Sequence, residues 1–77
     1  MEHARLDGAH RRAGQRIVGQ KHSRLKLARG GESWEAILFD HTDTLPRDIH
    51  AVYRPEINAW QGRESLELVV EHWRPAG

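Results

Sequence analysis

Apolar side chains in this chain recur at every second position, and that period limits what it can fold into before anything else does. In HSRLKLAR (22–29), Ser23, Leu25 and Leu27 share one face while Arg24, Lys26 and Ala28 share the other. Ile49, Ala51, Tyr53 and Ile57 alternate with polar partners in a longer run, and Leu66, Leu68 and Val70 do the same after it. SWEAILF reads as a strand rich in aromatic and β-favouring residues. Its Ala36 and Leu38 alternate with Ile37 and Phe39, so both faces read as buried. Glycines punctuate these runs: Gly30 and Gly31 supply one hairpin turn, and Gly62 supplies another next to Trp60. DHTDTLPRD contains turn formers and Pro46, leaving room for one helical turn at most.

The pattern predicts an all-β domain with little or no helix. Strands are expected over HSRLKLAR and SWEAILF, then at about 48–58 and 64–73, with a fifth at the front around RIVGQ, where Gly19 permits a bend. A chain of 77 residues buries a small core, and closing its sheet into a barrel protects the edges. The expected fold is a small five-stranded OB-fold-like barrel, an antiparallel Greek key, with an SH3-like barrel as the competing architecture. Order is expected to start near Arg12. That divides the chain into a polar, mobile N-terminus at 1–11, the barrel domain at 12–74 and a tail at 75–77.

Several classes of function are disfavoured at this level. The chain has no cysteine, which removes disulfides, thiolate zinc sites and a cysteine nucleophile, and fits a reducing compartment. The six histidines are scattered without the close-spaced pair of a zinc site. No metal or other cofactor is expected. Glu64, Glu67 and Glu71 offer no paired acid and base and no nucleophile, so the chain is not expected to be an enzyme. No run approaches the length of a membrane helix, and MEHARLDGAHRR lacks the apolar core of a secretory signal; a cytoplasmic monomer is expected. Lys plus Arg exceeds Asp plus Glu by one, 12 against 11, so an electrostatic argument must rest on where the charges sit.

Beyond pattern, RIVGQKHSRLKLARGG, WEAILF and YRPEINAWQGRESLELVVEHWRPA resemble the C-terminal OB domain of RecJ-type single-strand-specific DNA exonucleases. In that family a Gly-x-x-His-x-(+)-Leu strand, an Ala-Ile-x-Phe strand and an Asn-x-Trp-x-Gly-Arg-x-Ser-Leu hairpin follow in this order. The resemblance covers most of residues 16–76. It implies an OB domain that helps hold single-stranded DNA against the nuclease. The family's catalytic domains bind divalent metals through aspartates and an Asp-His-His motif, and Asp40-His41-Thr42 is not that motif. The chain departs from the family in three places. It has AHRRAGQ where the first strand usually carries aromatic and aliphatic residues, Ser23 where a leucine is common, and a short connection after Phe39 where many OB barrels place a helix.

Single-strand binders combine a positive groove with aromatic side chains on which bases stack, each stack contributing about 1–3 kcal/mol. Lys21, His22, Arg24, Lys26, Trp60 and Arg63 would form such a set if strands two and three and the last hairpin share one side. The same alternating cations also read as the solvated side of a half-exposed sheet, and Trp60 as a lid folded over its own strand. Trp34 and Tyr53 read as structural. Trp73, with its parity set by Val69 and Glu71, reads as an edge cover or a docking residue. Two functions follow. One is weak, sequence-tolerant binding of single-stranded DNA by an accessory domain; the alternative is a protein-interaction or packing module that docks on a nuclease core or another repair protein.

Overall fold

The hairpin tips carry the backbone geometry that the glycines lead one to expect. Gly30 (φ 60°) and Gly31 (φ 82°) join two strands through a two-residue turn, and Gln61 (φ 50°) and Gly62 (φ 75°) form a second. Positive φ at both central positions matches the turn to the right-handed twist of its strands. The computed structural model describes residues 6–76, with the side chain of Trp60 excepted. Its strands are β1 (Leu6–Val18), β2 (His22–Arg29), β3 (Glu32–Leu38), β4 (Asp48–Trp60) and β5 (Arg63–Pro75).

The strands close into an all-β, five-stranded barrel in the order β1-β2-β3-β5-β4, consistent with an OB-fold, and the described residues form no helix. Neighbours are antiparallel except β3 and β5, which run parallel through Glu35↔Glu67, Ala36↔Leu68 and Ile37↔Val69. The connection at 39–47 crosses one end of the barrel and delivers β4 beside β1. β5 returns into the remaining gap in the same direction as β3.

The inward positions of β2 to β5 supply the core: Leu25, Leu27, Ala36, Leu38, Ile49, Ala51, Tyr53, Leu68 and Val70 are buried, with Trp34 and Trp73 packed against them. Burial of each large aliphatic contributes about 1.5–3 kcal/mol. Leu45, at 1% exposure, comes from the connection and plugs the end that a helix would otherwise fill. Its loop is tied down by side chains. The Ser23 hydroxyl donates to the His41 carbonyl at 2.6 Å, and the Gln15 amide donates to the Asp43 carbonyl at 2.8 Å while accepting from the Leu45 N–H at 2.9 Å. Arg12 donates through Nε to the Leu45 carbonyl at 2.8 Å.

β1 is the strand that departs most from the reading above. It starts at Leu6, ahead of Arg12, so residues 6–11 of the stretch expected to be mobile pair with β4 from Leu6↔Tyr53 to Arg11↔Asp48. Its second half pairs with β2, and a bulge between Arg12 and Gly14 bends it from one partner to the other. At the other terminus Pro75 ends β5, and the Ala76 N–H donates to the Asp48 carbonyl at 3.0 Å.

Two parity expectations change. β3 ends at Leu38, so Phe39 leaves the barrel half exposed, its ring edge-on to His22 at 5.1 Å, while Ile37 is buried. A bulge in β5 skips Glu71, pairing Tyr53 with Val70 and Val52 with His72, and thereby turns Trp73 to the core face opposite Ala51.

Candidate nucleic-acid interface

The outer surface of the barrel is organised in rows set by register. One row runs Arg16, Arg24, Ile37, Val69, Arg54 across β1, β2, β3, β5 and β4; the next runs Gly14, Lys26, Glu35, Glu67, Glu56. Ile37 and Val69 are buried although they point outward. In these rows the cations gather on β1 and β2, apart from Arg54 on β4, and the carboxylates on β3, β5 and β4.

Arg24 and Lys26 lie next to each other on this surface but in different states. Lys26 is exposed. Arg24 donates from Nη1 to Glu67 Oε2 at 2.8 Å, and the second oxygen of Glu67 accepts from Asn58 Nδ2 at 3.2 Å. Arg54 is likewise engaged, 2.9 Å from Glu56 and 3.7 Å from Glu71. A guanidinium already bound to a carboxylate offers a phosphate less than a solvated one does.

The other sequence-selected residues sit at the two rims. Lys21 ends the β1–β2 turn and His22 opens β2; Lys21 stands 3.6 Å from Asp40, and His22 Nδ1 accepts from the Asp40 N–H at 2.9 Å. Arg63 opens β5 at the opposite rim, paired with the backbone of Trp60. The stacking or lid role weighed for Trp60 concerns a side chain outside the described residues. Because β3 and β5 run parallel, the turn at 61–62 lies at the same end as Gly30 and Gly31, and Lys21 lies at the other. The structure therefore separates Lys21 and His22 from Trp60 and Arg63 by the length of the barrel, with Arg24 and Lys26 between them.

Cations that the alternation did not select join this surface. Arg11 pairs opposite Ala28, and Arg16 opposite Arg24, so both share the outward face of β2. In an unbroken strand positions 11 and 16 would face opposite ways; the bulge between them restores the match. An open groove of about 510 Å³ is lined by Arg11, Lys26, Arg29, Gly30, Glu32 and Ser33, among others. A second of about 230 Å³ is lined by Gly14, Arg16, Arg24, Lys26 and Glu35 with neighbouring backbone. Lys26 borders both.

Among the described residues, His10 is displaced from its ordinary behaviour. His10, 3% exposed, is wedged edge-on against Trp34 at 5.9 Å and Tyr53 at 5.4 Å. Burial lowers its pKa below the usual 6.5, the Gly8 carbonyl 3.1 Å from Nδ1 opposes that shift, and the charges of Arg29 and His50 reinforce it. Among the described residues no group of three or more His, Asp or Glu side chains is placed to hold a metal ion.

A family model described as the RecJ OB domain matches residues 5–72.

The chain belongs to the RecJ OB-domain family.

The single-stranded-DNA-specific exonuclease RecJ of Dickeya dadantii (strain 3937) is 31% identical over 78 residues, covering 91% of this chain. The chain spans 13% of that protein's length. Relative to the RecJ OB pattern, the departures noted in the sequence now have structural counterparts. Ser23 faces inward and binds the 39–47 loop, and Leu45 occupies the end of the barrel. No helix among the described residues is long and apolar enough to cross a membrane.

Proposed function

We propose that this RecJ OB domain binds single-stranded DNA, weakly and with little sequence preference, as a non-catalytic accessory module. The observation that carries the reading is the exposed cationic surface of β2 and its neighbours, with Lys26 at its centre and a rim at either end supplying Lys21 and His22 or Trp60 and Arg63. A barrel face of this kind can follow a phosphate backbone, while an aromatic at the rim offers a base a stacking surface. Lys21, His22, Arg24, Lys26, Trp60 and Arg63 are the proposed contacts. The name of the relative, a single-stranded-DNA-specific exonuclease, agrees in ligand class. The domain acts as a cytoplasmic monomer in this reading.

The test is an NMR titration of the labelled domain with oligothymidine at low salt, repeated at physiological salt. Amides of residues 21–27 and 60–64 and the Trp60 indole are expected to shift, and added salt to reverse the shift, because phosphate contacts release counterions. Absence of any shift at low salt with excess oligonucleotide would remove the reading for the isolated domain.

A second reading rests on a different observation. Ile57 and Leu66 are 63% and 42% exposed and pair directly across the β4–β5 arm. That arm gives the domain an apolar contact for a nuclease core or another repair protein. Such docking changes little with salt, which separates it from DNA binding.

A further inference from the structure

The proposed contacts include both rims and the face of β2, and the distribution of charge favours one side of that strand for the backbone between them. We propose that the phosphate backbone runs along the seam between β1 and β2, held by Arg11, Arg16 and Lys26, with Glu35 and Glu67 as its acidic border. This inference rests on the single-strand-binding reading above and specifies where on the barrel that binding occurs.

Three observations carry it. First, stepping from Lys26 across β3 and β5 meets Glu35 and then Glu67, paired in register on the parallel strands, so a polyanion laid over that side meets like charge. Stepping the other way meets Gly14, with Arg16 and Arg11 on either side along β1. Second, among the described residues Arg11, Arg16 and Lys26 have no carboxylate within salt-bridge distance, whereas Arg24 is held by Glu67 and Lys21 lies near Asp40. Third, the two grooves meet at Lys26 and draw most of their lining from β1, β2 and the turn at Gly30 and Gly31, with Glu32, Ser33 and Glu35 of β3 on the acidic side.

The register also fixes the length of the path. Arg11 and Arg16 stand opposite Ala28 and Arg24, four residues apart on β2, which at the rise of a strand is about 13 Å. That is a run of cations on one side of a single strand, leaving the bases to face away from β1 or toward the rims.

Binding of a fluorescein-labelled oligothymidine, followed by anisotropy over a salt series, tests the path. The compared proteins are wild type, the double variant Arg11→Gln/Arg16→Gln, and the double variant Arg47→Gln/Arg74→Gln, which removes equal charge from exposed positions outside the proposed contacts. Each lost phosphate contact flattens the log–log salt slope by ~0.7 for a single strand. The seam variant is expected to lose about tenfold or more in affinity at low salt, with a slope shallower by ~1.4, while the Arg47→Gln/Arg74→Gln control stays within about twofold of wild type. If wild type binds and the seam variant binds equally well, or both variants weaken alike, the path is overturned and the single-strand reading stands. If wild type fails to bind at low salt, both fall. Amide shifts in wild type give a readout independent of variant folding: residues 11–16 and 24–28 must move more than 60–64, and the reverse order overturns the path.

Discussion

Neutralising Glu67 should tighten DNA binding while loosening the fold, and the two effects can be measured separately. Glu67 accepts from Arg24 Nη1 at 2.8 Å and from Asn58 Nδ2 at 3.2 Å, and the side chains of Arg24 and Glu67 are 39% and 14% exposed. Glu67→Gln keeps the shape and an acceptor for Asn58, but removes the charge that holds the guanidinium. A partly exposed ion pair contributes about 0.2–1 kcal/mol, so a thermal melt should fall by roughly 1–8 °C. On the binding side, a freed Arg24 adds one phosphate contact. At ~0.7 counterions per contact, the added factor between 1 M and 50 mM salt is about eightfold, and the log–log slope steepens by ~0.7. Anisotropy with labelled oligothymidine across that salt range reads both numbers. Glu64→Gln, which removes the same charge from the end of the hairpin, controls for net charge. Unchanged or weaker affinity in Glu67→Gln, or an equal gain in Glu64→Gln, would refute the idea that Glu67 withholds Arg24 from DNA.

Two further perturbations test the barrel's ends. Leu45→Ala removes the 1%-exposed plug and should cost about 2–5 kcal/mol, a drop in Tm of roughly 10–30 °C by circular dichroism; a loss below about 4 °C would mean that Leu45 does not seal the barrel. His10 is held neutral by burial, so the unfolded chain takes up its proton more readily than the folded one. The sign follows: its contribution to stability is complete above pH 6.5 and is lost as pH falls from there toward the lowered folded pKa, by up to ~1.4 kcal/mol per pH unit. Urea melts between pH 7 and 5 should show that slope in wild type, and His10→Phe should flatten it; identical slopes would assign the pH dependence elsewhere.

The elements that sequence reading located are those whose inward positions are apolar. β2 and the β4–β5 hairpin follow from alternation, and the turns follow from Gly30, Gly31 and Gly62. β1 was located only toward its RIVGQ end, because its buried side chain is His10 and its other partly covered positions include Arg12 and Gln15, residues that pattern reading assigns to solvent. Bulges hid two more facts, since each shifts parity by one: Trp73 turned out to face the core, and Arg11 and Arg16 to share a face. The pairing of Arg24 with Glu67 was invisible for another reason. The partners are 43 positions apart and meet only because β3 and β5 run parallel between β2 and β4. Lys21, Arg24 and Lys26 were legible as cationic positions, with His22 beside them, but the ion pairs of Lys21 and Arg24 and the distribution of the set along the barrel were not.

Joining β1 and the start of β2 to the 39–47 loop with Arg12, Gln15 and Ser23 makes that junction polar, and polar junctions open differently from apolar ones. Each bond contributes about 1 kcal/mol net and depends on the others being in place, so the strand and loop should release as one cooperative unit below the cost of global unfolding. The Arg12 amide, bonded to the Arg47 carbonyl, and the Leu45 amide, bonded to Gln15, lie on opposite sides of the junction. In native-state hydrogen exchange they should therefore share one opening free energy, while Leu25 and Leu27 on β2 exchange more slowly.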